Sequence, residues 1–265
     1  MLYALWCCKR VVNGTIGDDA RIPLVLVPGL LCDDRLWRHQ AVHLGDLADP
    51  TIADVTRGAS MPEMARAVLD VAPERFALAG LSMGGYVALE IMRVAPERVA
   101  RLALLDTSAR ADTPEQTATR RELIELSQRG CFDEVPHKVL PHIVHSDRLD
   151  DEVLTSIVFA MAEAVGPEAF VRQEEAIIGR PDGRENLPGI ACPTLLLCGR
   201  EDALTPMHLH EEMTGLIPGS QLRVIEKCGH LSALERPEGV TAALREWLGL
   251  LEAVETRAKA YELLT

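Results

Sequence analysis

Short apolar runs and helical patterns alternate along most of the chain. Runs rich in leucine and valine predict strands that are buried on both faces, as in a parallel sheet. Helical periodicity follows several runs, and Ser60 begins a helix in which Glu63 is placed to complete a capping box. Because strands that alternate with helices require crossover connections, the pattern predicts an α/β fold with a mostly parallel central sheet flanked by helices. The predicted strands are residues 24–27, 51–55, 76–81, 99–105, 194–198 and 222–225, with a closing helix at 240–251.

The alternation stops after residue 106. From about residue 108 to residue 186, apolar positions recur only at helical spacing. We interpret this stretch as a helical cap inserted between two strands. Ligands of open α/β sheets bind beyond the carboxyl ends of the strands, so a cap emerging there would cover the site. The predicted organisation is a first core part at residues 1–107, a helical cap at 108–189 and a second core part at 190–265.

The composition limits the possible binding partners and indicates the cellular compartment. The 265 residues carry 27 basic and 40 acidic side chains, a net charge of −13, which would repel a nucleic acid. No uninterrupted apolar run reaches the roughly 18–20 residues of a membrane helix. The first ten residues, with Cys7 and Cys8, do not fit a secretory signal and are interpreted as a strand or an extension, and an Asn-Gly pair predicts a hairpin at 11–16. Seven cysteines without a CxxC pair argue against disulfides or zinc and favour the cytoplasm.

The segment Gly80-Leu81-Ser82-Met83-Gly84 matches the pattern G-x-S-x-G. It follows a predicted strand and opens a predicted helix, which is the setting of a nucleophilic serine on a sharp turn. The crowding of such a turn requires small flanking residues, and the helix N-terminus favours negative charge that develops at the serine. The alternative is an ordinary turn with an N-capping serine. We favour the nucleophile, because the other groups of this chemistry follow along the chain.

A serine hydroxyl needs a base within hydrogen-bonding distance. The chain order that accompanies this motif is serine, acid, histidine. Asp202 and His230 each come just after a predicted strand. We therefore predict that His230 removes the proton from Ser82 and that Asp202 orients the imidazole. Asp106, which also ends a strand, remains the alternative acid, whereas Glu201 is interpreted as a solvated surface charge.

The tetrahedral intermediate of acyl transfer needs two hydrogen-bond donors for its oxyanion. One is predicted to be the backbone N–H of Met83, the residue after the nucleophile. The other is predicted to be the backbone N–H of Leu30, in the loop after the first long strand. Core packing is the alternative role of Leu30, and the two roles are compatible because the donor is the backbone.

Other residues near the predicted site have less specific roles. His142 and His145 lie one helical turn apart without an evident carboxylate, so we expect packing in the cap and no metal site. Cys32 and Cys228 could line the pocket, but a catalytic cysteine would need a base of its own. Apolar cap residues fit either a hydrophobic substrate or, as we favour, the cap's own core; these are Leu140, Ile143, Phe159, Met161 and Phe170.

Four segments together match the pattern of a known family: residues 27–31 (VPGLL), 80–85 (GLSMGG), 199–206 (GREDALTP) and 229–237 (GHLSALERP). They resemble the α/β-hydrolase superfamily, in particular its bacterial carboxylesterase and haloperoxidase-like branch. The resemblance covers nearly the whole chain and implies an ester or related acyl substrate, no cofactor, and a site between core and cap. Serine in the nucleophile position argues against the dehalogenase and epoxide hydrolase branches. One departure is Pro28, where many relatives have a histidine that supports the oxyanion loop.

The sequence therefore favours one function and leaves others open. The favoured function is hydrolysis of a small-molecule carboxylic ester through an acyl-serine intermediate. A lactonase, a C–C bond hydrolase and an acyltransferase would use the same three residues, and a non-catalytic ligand-binding protein would keep the fold alone. We expect a small acyl substrate as partner, with no nucleic acid and no membrane, and either a monomer or a homodimer.

Overall fold

Six parallel strands form the central sheet of the residues that the structure describes. The computed structural model describes the backbone of residues 21–262 and the side chains of residues 21–249, so the hairpin predicted at 11–16 and the Cys7–Cys8 pair lie outside them. The strands are β1 (Ile22–Val27), β2 (Ala48–Ile52), β3 (Phe76–Leu81), β4 (Val99–Leu105), β5 (Thr194–Gly199) and β6 (Gln221–Ile225). Their spatial order is β2-β1-β3-β4-β5-β6, and all neighbouring pairs are parallel, which confirms the predicted α/β class.

Helices cover both faces of this sheet. Successive strand residues point to opposite faces. Leu78 packs on the side of the helices at residues 61–71, 83–94 and 207–216, whereas Ala79 packs on the side of the helices at residues 38–43 and 237–262. All residues of β3 and β5 are buried, as expected of central strands in a parallel sheet. The α-helices of the described residues are α1 (Arg38–His43), α2 (Met61–Val71), α3 (Met83–Val94), α4 (Pro114–Gln128), α5 (Glu134–Ile143), α6 (Glu152–Ile178), α7 (Met207–Leu216), α8 (Ser232–Glu235) and α9 (Pro237–Glu262).

Two local expectations from the sequence need correction. The strand predicted at 51–55 lies at Ala48–Ile52, because pairing with β1 sets its register and this edge strand alternates buried and exposed residues. Ser60 does cap α2, and its hydroxyl accepts the Glu63 N–H at 3.4 Å. The carboxylate of Glu63, however, accepts the N–H of Ala59 at 2.8 Å, so the capping box closes one residue earlier than predicted.

The helical insertion, predicted at residues 108–189, contains α4, α5 and α6. Helix α6 packs against both of the others, and Phe170 and Val135 share an apolar cluster with Leu31 from the loop after β1. Gly166 interrupts α6 with φ 74° and ψ 169°, and Pro167 follows it. The insertion thus has a core of its own that also contacts the loop beside the carboxyl end of β1. Its division from the rest of the chain at residues 107/108 and 189/190 stays a prediction.

Helix α6 is, within the described residues, the one helix long and apolar enough to cross a membrane by length and composition alone. It has 27 residues and a mean hydropathy of 1.4 over its most apolar window. The sequence pattern did not single it out, because Glu163 and Glu168 interrupt its apolar run. A core helix of a globular unit passes the same test, and α6 packs against two neighbouring helices around the break at Gly166.

A buried ion network joins the two long helices of the insertion. Arg120 of α4 donates to Asp112 and to Glu174 of α6, each at 2.7 Å. Arg180 contacts the other oxygen of Asp112 at 2.7 Å. The two carboxylate side chains are at most 2% exposed, and burial raises the pKa of Glu174 although Arg120 opposes the shift. Both carboxylates therefore depend on the guanidinium groups for their stability in the interior.

We expect Arg120→Met to lower the free energy of unfolding by about 3–5 kcal/mol, because it leaves Glu174 buried and unpaired. Urea unfolding followed by circular dichroism measures the change. Arg121→Met is the matched control, since Arg121 and Glu175 lie 3.9 Å apart and about half-exposed, and the loss there should stay below about 0.5 kcal/mol. Equal losses in the two variants would contradict a structural role of the network.

Candidate active site

Ser82 lies on a sharp turn between β3 and α3. Its φ is 55°, in the left-handed region that non-glycine residues rarely adopt. The flanking glycines are required by close backbone contacts: a Cβ on Gly80 would overlap the Gly84 carbonyl, and a Cβ on Gly84 would overlap the Val27 carbonyl. A Cβ on Gly85 would likewise overlap the Thr107 side chain. The turn therefore lifts the serine off the carboxyl end of the sheet, at the N-terminus of α3.

Ser82, His230 and Asp202 form one hydrogen-bonded line. Nε2 of His230 lies 2.8 Å from Oγ of Ser82, and Nδ1 lies 3.0 and 2.9 Å from the two carboxylate oxygens of Asp202. A carboxylate accepts but does not donate, so Nδ1 carries the proton and the Nε2 lone pair faces the serine hydroxyl. The sequence placed these residues on three different loops, and the structure brings all of them together.

The carboxylate of Asp202 is held by several donors. Thr205 donates its hydroxyl at 2.6 Å and its backbone N–H at 3.0 Å, and Leu204 donates its N–H at 2.9 Å. Burial alone would raise the pKa of Asp202, but His230 and these hydrogen bonds more than offset it and lower the pKa to about 2. Burial alone would lower the pKa of His230, whereas the charge of Asp202 raises it above its ordinary value. The pair is thus built to stabilise a protonated imidazole.

Asp106, the alternative acid, has different partners. Its carboxylate accepts the N–H of Gly199 at 2.9 Å and the hydroxyl and N–H of Ser232. No hydrogen bond joins it to His230 among the described residues. Burial, together with the nearby charge of Asp202, raises the pKa of Asp106 to about 8. Asp106 therefore ties the ends of β4 and β5 to the histidine loop, and the geometry assigns the imidazole to Asp202.

The loop after β1 passes directly beside Ser82. A Cβ on Gly29 would lie 3.4 Å from Cβ of Ser82 and 3.3 Å from the Leu81 carbonyl oxygen. Among the described residues, the backbone N–H groups of Leu30 and Met83 have no protein acceptor. Two donors without a protein acceptor therefore lie on the two segments that flank the serine, and their role as an oxyanion hole stays a prediction.

An apolar pocket opens at Ser82 and His230. It lies between the loop after β1 and the helical insertion, and its polar lining beyond the triad consists of Tyr86 and Arg120. A cavity of about 210 Å³ between α3 and residues 180–190 is larger, but no triad residue lines it. We place the site by its chemistry at the smaller pocket. Its apolar lining includes Leu30, Leu31, Ile143, Val158, Met161, Ala162, Leu204 and Leu231.

The less specific sequence predictions have mixed outcomes. Of the apolar cap residues, Ile143 and Met161 line the pocket, whereas Phe170 lies in the insertion's own core. Cys32 also lines the pocket, and burial raises the pKa of its thiol to about 12. Cys228 is fully buried and is not part of the pocket lining.

The remaining polar candidates make local contacts. Glu201 is exposed, as predicted for a surface charge, and one of its oxygens also accepts the Cys228 N–H at 3.0 Å. Nδ1 of His145 accepts the N–H of Asp147 at 3.0 Å. Within residues 21–249, no group of three or more His, Cys, Asp or Glu side chains is arranged to hold a metal ion.

The histidine loop is bound to the helical insertion. The carbonyl oxygen of Ile143, at the end of α5, accepts the N–H groups of His230 and Leu231 at 3.2 and 3.1 Å. Glu235 in turn accepts the N–H of His145 at 2.9 Å. The sequence did not predict these contacts, because no local pattern indicates that the backbone carbonyl of Ile143 bonds to His230, 87 positions later in the chain.

Comparison with known proteins identifies the family. A family model described as "Alpha/beta hydrolase family" matches residues 24–243. A pimeloyl-[acyl-carrier protein] methyl ester esterase of Aromatoleum aromaticum is 28% identical over 202 residues, covering 72% of this chain and 80% of that protein. A solved thermophilic esterase from Thermogutta terrifontis, with malate bound, is 32% identical with a TM-score of 0.78, covering 86% of this chain and 89% of that one. The enol-lactonase from Burkholderia xenovorans LB400, 23% identical, shares the fold with a TM-score of 0.79 over 88% and 93% of the two chains. The chain belongs to the alpha/beta hydrolase family.

Proposed function

We propose that this chain is a serine hydrolase that cleaves a small-molecule carboxylic ester, or a closely related acyl bond, through an acyl-Ser82 intermediate. One observation carries the proposal: Oγ of Ser82 lies 2.8 Å from Nε2 of His230, whose other nitrogen is held by Asp202. A hydrogen-bonded base in this tautomer can accept the proton of the serine as it attacks. The esterases among the relatives support the same reaction class.

In the acylation step, Oγ of Ser82 attacks the carbonyl carbon and its proton passes to Nε2 of His230. The negative charge that develops on the carbonyl oxygen is stabilised by the N–H groups of Met83 and Leu30 and by the N-terminus of α3. The imidazolium formed is stabilised by Asp202, which stays ionised because its pKa is low. His230 then donates its proton to the leaving alcohol, and the acyl-enzyme remains.

In the deacylation step, water takes the place of the alcohol. His230 accepts a proton from this water as it attacks the acyl carbon, and the same two N–H groups stabilise the second tetrahedral intermediate. The proton then returns to Oγ of Ser82 as the ester bond to the serine breaks and the carboxylic acid leaves. No cofactor takes part in this scheme.

The pocket supports a substrate with an apolar part. Leucine, isoleucine, valine and methionine side chains form most of its walls, and burial of each methylene group of a ligand contributes up to about 0.8 kcal/mol. Tyr86 and Arg120 supply hydrogen-bond donors away from the triad. The proposed substrates are therefore small esters with an apolar acyl or alcohol group.

A fluorophosphonate probe tests the activation of Ser82. We expect stoichiometric labelling of the native protein, with the label on the peptide that contains Ser82, because a phosphonate mimics the acyl group under attack. Intact-protein and peptide mass spectrometry measure it. Ser108→Ala is the matched control and should label as fast as wild type, since the Ser108 hydroxyl only accepts the N–H of Arg110. Absence of label, or a label on another serine, would remove the proposal.

A further inference from the structure

The loop beside Ser82 contains a turn that leucine does not favour. The N–H of Cys32 donates to the carbonyl of Gly29 at 3.2 Å, which closes a four-residue turn. Leu31, at the third position of this turn, has φ 58°. A positive φ there is typical of type II turns, in which glycine or asparagine usually occupies the position. A leucine would ordinarily take a negative φ and form a type I turn.

Gln173 of α6 forms a hydrogen bond with the peptide between Leu30 and Leu31 in this turn. Its Oε1 accepts the N–H of Leu31 at 3.2 Å, and its Nε2 donates to the carbonyl of Val55 at 3.4 Å. The glutamine is fully buried. Its amide therefore has one acceptor and one donor engaged, and these two bonds fix which way the amide points. Pro28 offers no polar side chain to this loop, so the insertion supplies the support.

The alternative turn would disrupt this arrangement. Conversion of type II to type I rotates the peptide between Leu30 and Leu31 by about half a turn. The Leu31 N–H would then leave Oε1 of Gln173, and the Leu30 carbonyl would leave the Cys32 thiol that donates to it at 3.3 Å. Both leucines line the pocket, so the rotation would reverse a peptide dipole in the pocket wall. It would also break the hydrogen bond that ties this loop, and with it the neighbouring Leu30 N–H, to the insertion.

We propose that Gln173 is a positioning residue that keeps this turn in its observed form and so holds the loop that carries the Leu30 N–H in place beside Ser82. The inference rests on the proposed function, because it assigns a catalytic task to that loop. Gln173 touches neither substrate nor triad, and it acts through the Leu31 peptide. The helical insertion therefore contributes to the chemical step itself as well as to the pocket wall.

A double-mutant cycle between positions 173 and 31 tests the proposal. Gln173→Met keeps the length of the side chain and removes both hydrogen bonds, and we expect kcat for a p-nitrophenyl ester to fall about 10- to 100-fold with KM within threefold. Glycine adopts a positive φ freely, so the turn no longer needs the glutamine when Leu31 is replaced. In the Leu31→Gly background, the loss caused by Gln173→Met should therefore shrink to less than about threefold.

The cycle separates positioning from packing. If Gln173→Met lowers kcat by the same factor in both backgrounds, or leaves kcat unchanged in wild type, the inference is wrong. Gln173→Asn, too short to reach both partners, should repeat the pattern and replaces the methionine variant if that variant does not fold by circular dichroism. Wild-type protein that neither turns over the ester nor reacts with the fluorophosphonate would instead overturn the proposed function.

Discussion

Replacement of Ser82 by alanine is expected to lower kcat for a p-nitrophenyl ester by about 10⁵- to 10⁶-fold. The alanine removes the atom that forms the acyl-enzyme, while the two N–H donors and the apolar pocket remain. KM should change little, because the methyl group occupies the same turn without disturbing Gly80 or Gly84. Initial rates across substrate concentrations, on protein free of contaminating esterases, provide the measurement.

Ser108→Ala is the control for this variant, as it was for labelling, and should retain the full rate. A non-catalytic ligand-binding protein with the same fold would behave differently. Any slow hydrolysis of the ester in its presence would be equally fast with serine or alanine at position 82. More than a tenth of the wild-type rate in Ser82→Ala would therefore show that the ester is not cleaved by this serine.

Replacement of Asp202 by asparagine should lower kcat by about 10⁴-fold. An asparagine amide can donate a hydrogen bond to Nδ1 of His230. The imidazole proton then lies on Nε2, facing the serine hydroxyl, so Nε2 has no lone pair to accept the proton of Ser82. The fold should survive, because the side-chain oxygen can still accept the N–H groups of Leu204 and Thr205.

The pH profile of kcat/KM provides a second readout for this variant. The reaction needs a neutral imidazole, so the rate falls as the pH drops below the pKa of His230. Asp202 raises that pKa. Its loss should lower the pKa, and the residual activity of Asp202→Asn should therefore persist to lower pH than that of wild type.

Asp106→Asn is the matched control for the acid. Asp106 accepts hydrogen bonds from Gly199 and Ser232 and none joins it to His230 within the described part of the chain. Burial raises the pKa of Asp106, whereas the pKa of Asp202 is lowered, so an amide at position 106 is the smaller electrostatic change. We expect kcat within about tenfold of wild type. A loss as large as that of Asp202→Asn would show that the roles of the two acids are exchanged.

The sequence predicted the parts of the site that depend on strand ends. Ser82 and Asp202 follow strongly apolar runs, and such runs mark buried parallel strands clearly. His230 follows the shorter edge strand β6, in which Arg223 interrupts the apolar run. Because the carboxyl ends of parallel strands meet at one edge, residues far apart in sequence could be placed together. The same reasoning was weaker at β2, whose Asp49 and Pro50 hide the apolar pattern of an edge strand.

The long-range hydrogen bonds and ion pairs around the site could not be predicted in this way. Gln173 reaches Leu31 across 142 residues, and Arg120 reaches Glu174 across 54. Gln173, Arg120 and Glu174 lie in stretches whose helical periodicity indicates which face is apolar but not which element that face contacts. A glutamine or arginine at such a position is indistinguishable from a solvated one until the packing of α4 on α6 is known.

The double hydrogen bond to the Ile143 carbonyl has a consequence for the diversification of this protein. The segment that carries His230, the proposed base, forms backbone hydrogen bonds with the insertion. A chimera that receives the corresponding insertion of another hydrolase must therefore provide a carbonyl at the same place. A shortened chain that connects β4 directly to β5 would leave the N–H groups of His230 and Leu231 without their acceptor. Exchange of specificity by cap grafting should therefore succeed only when the graft includes the stretch from α5 through His145.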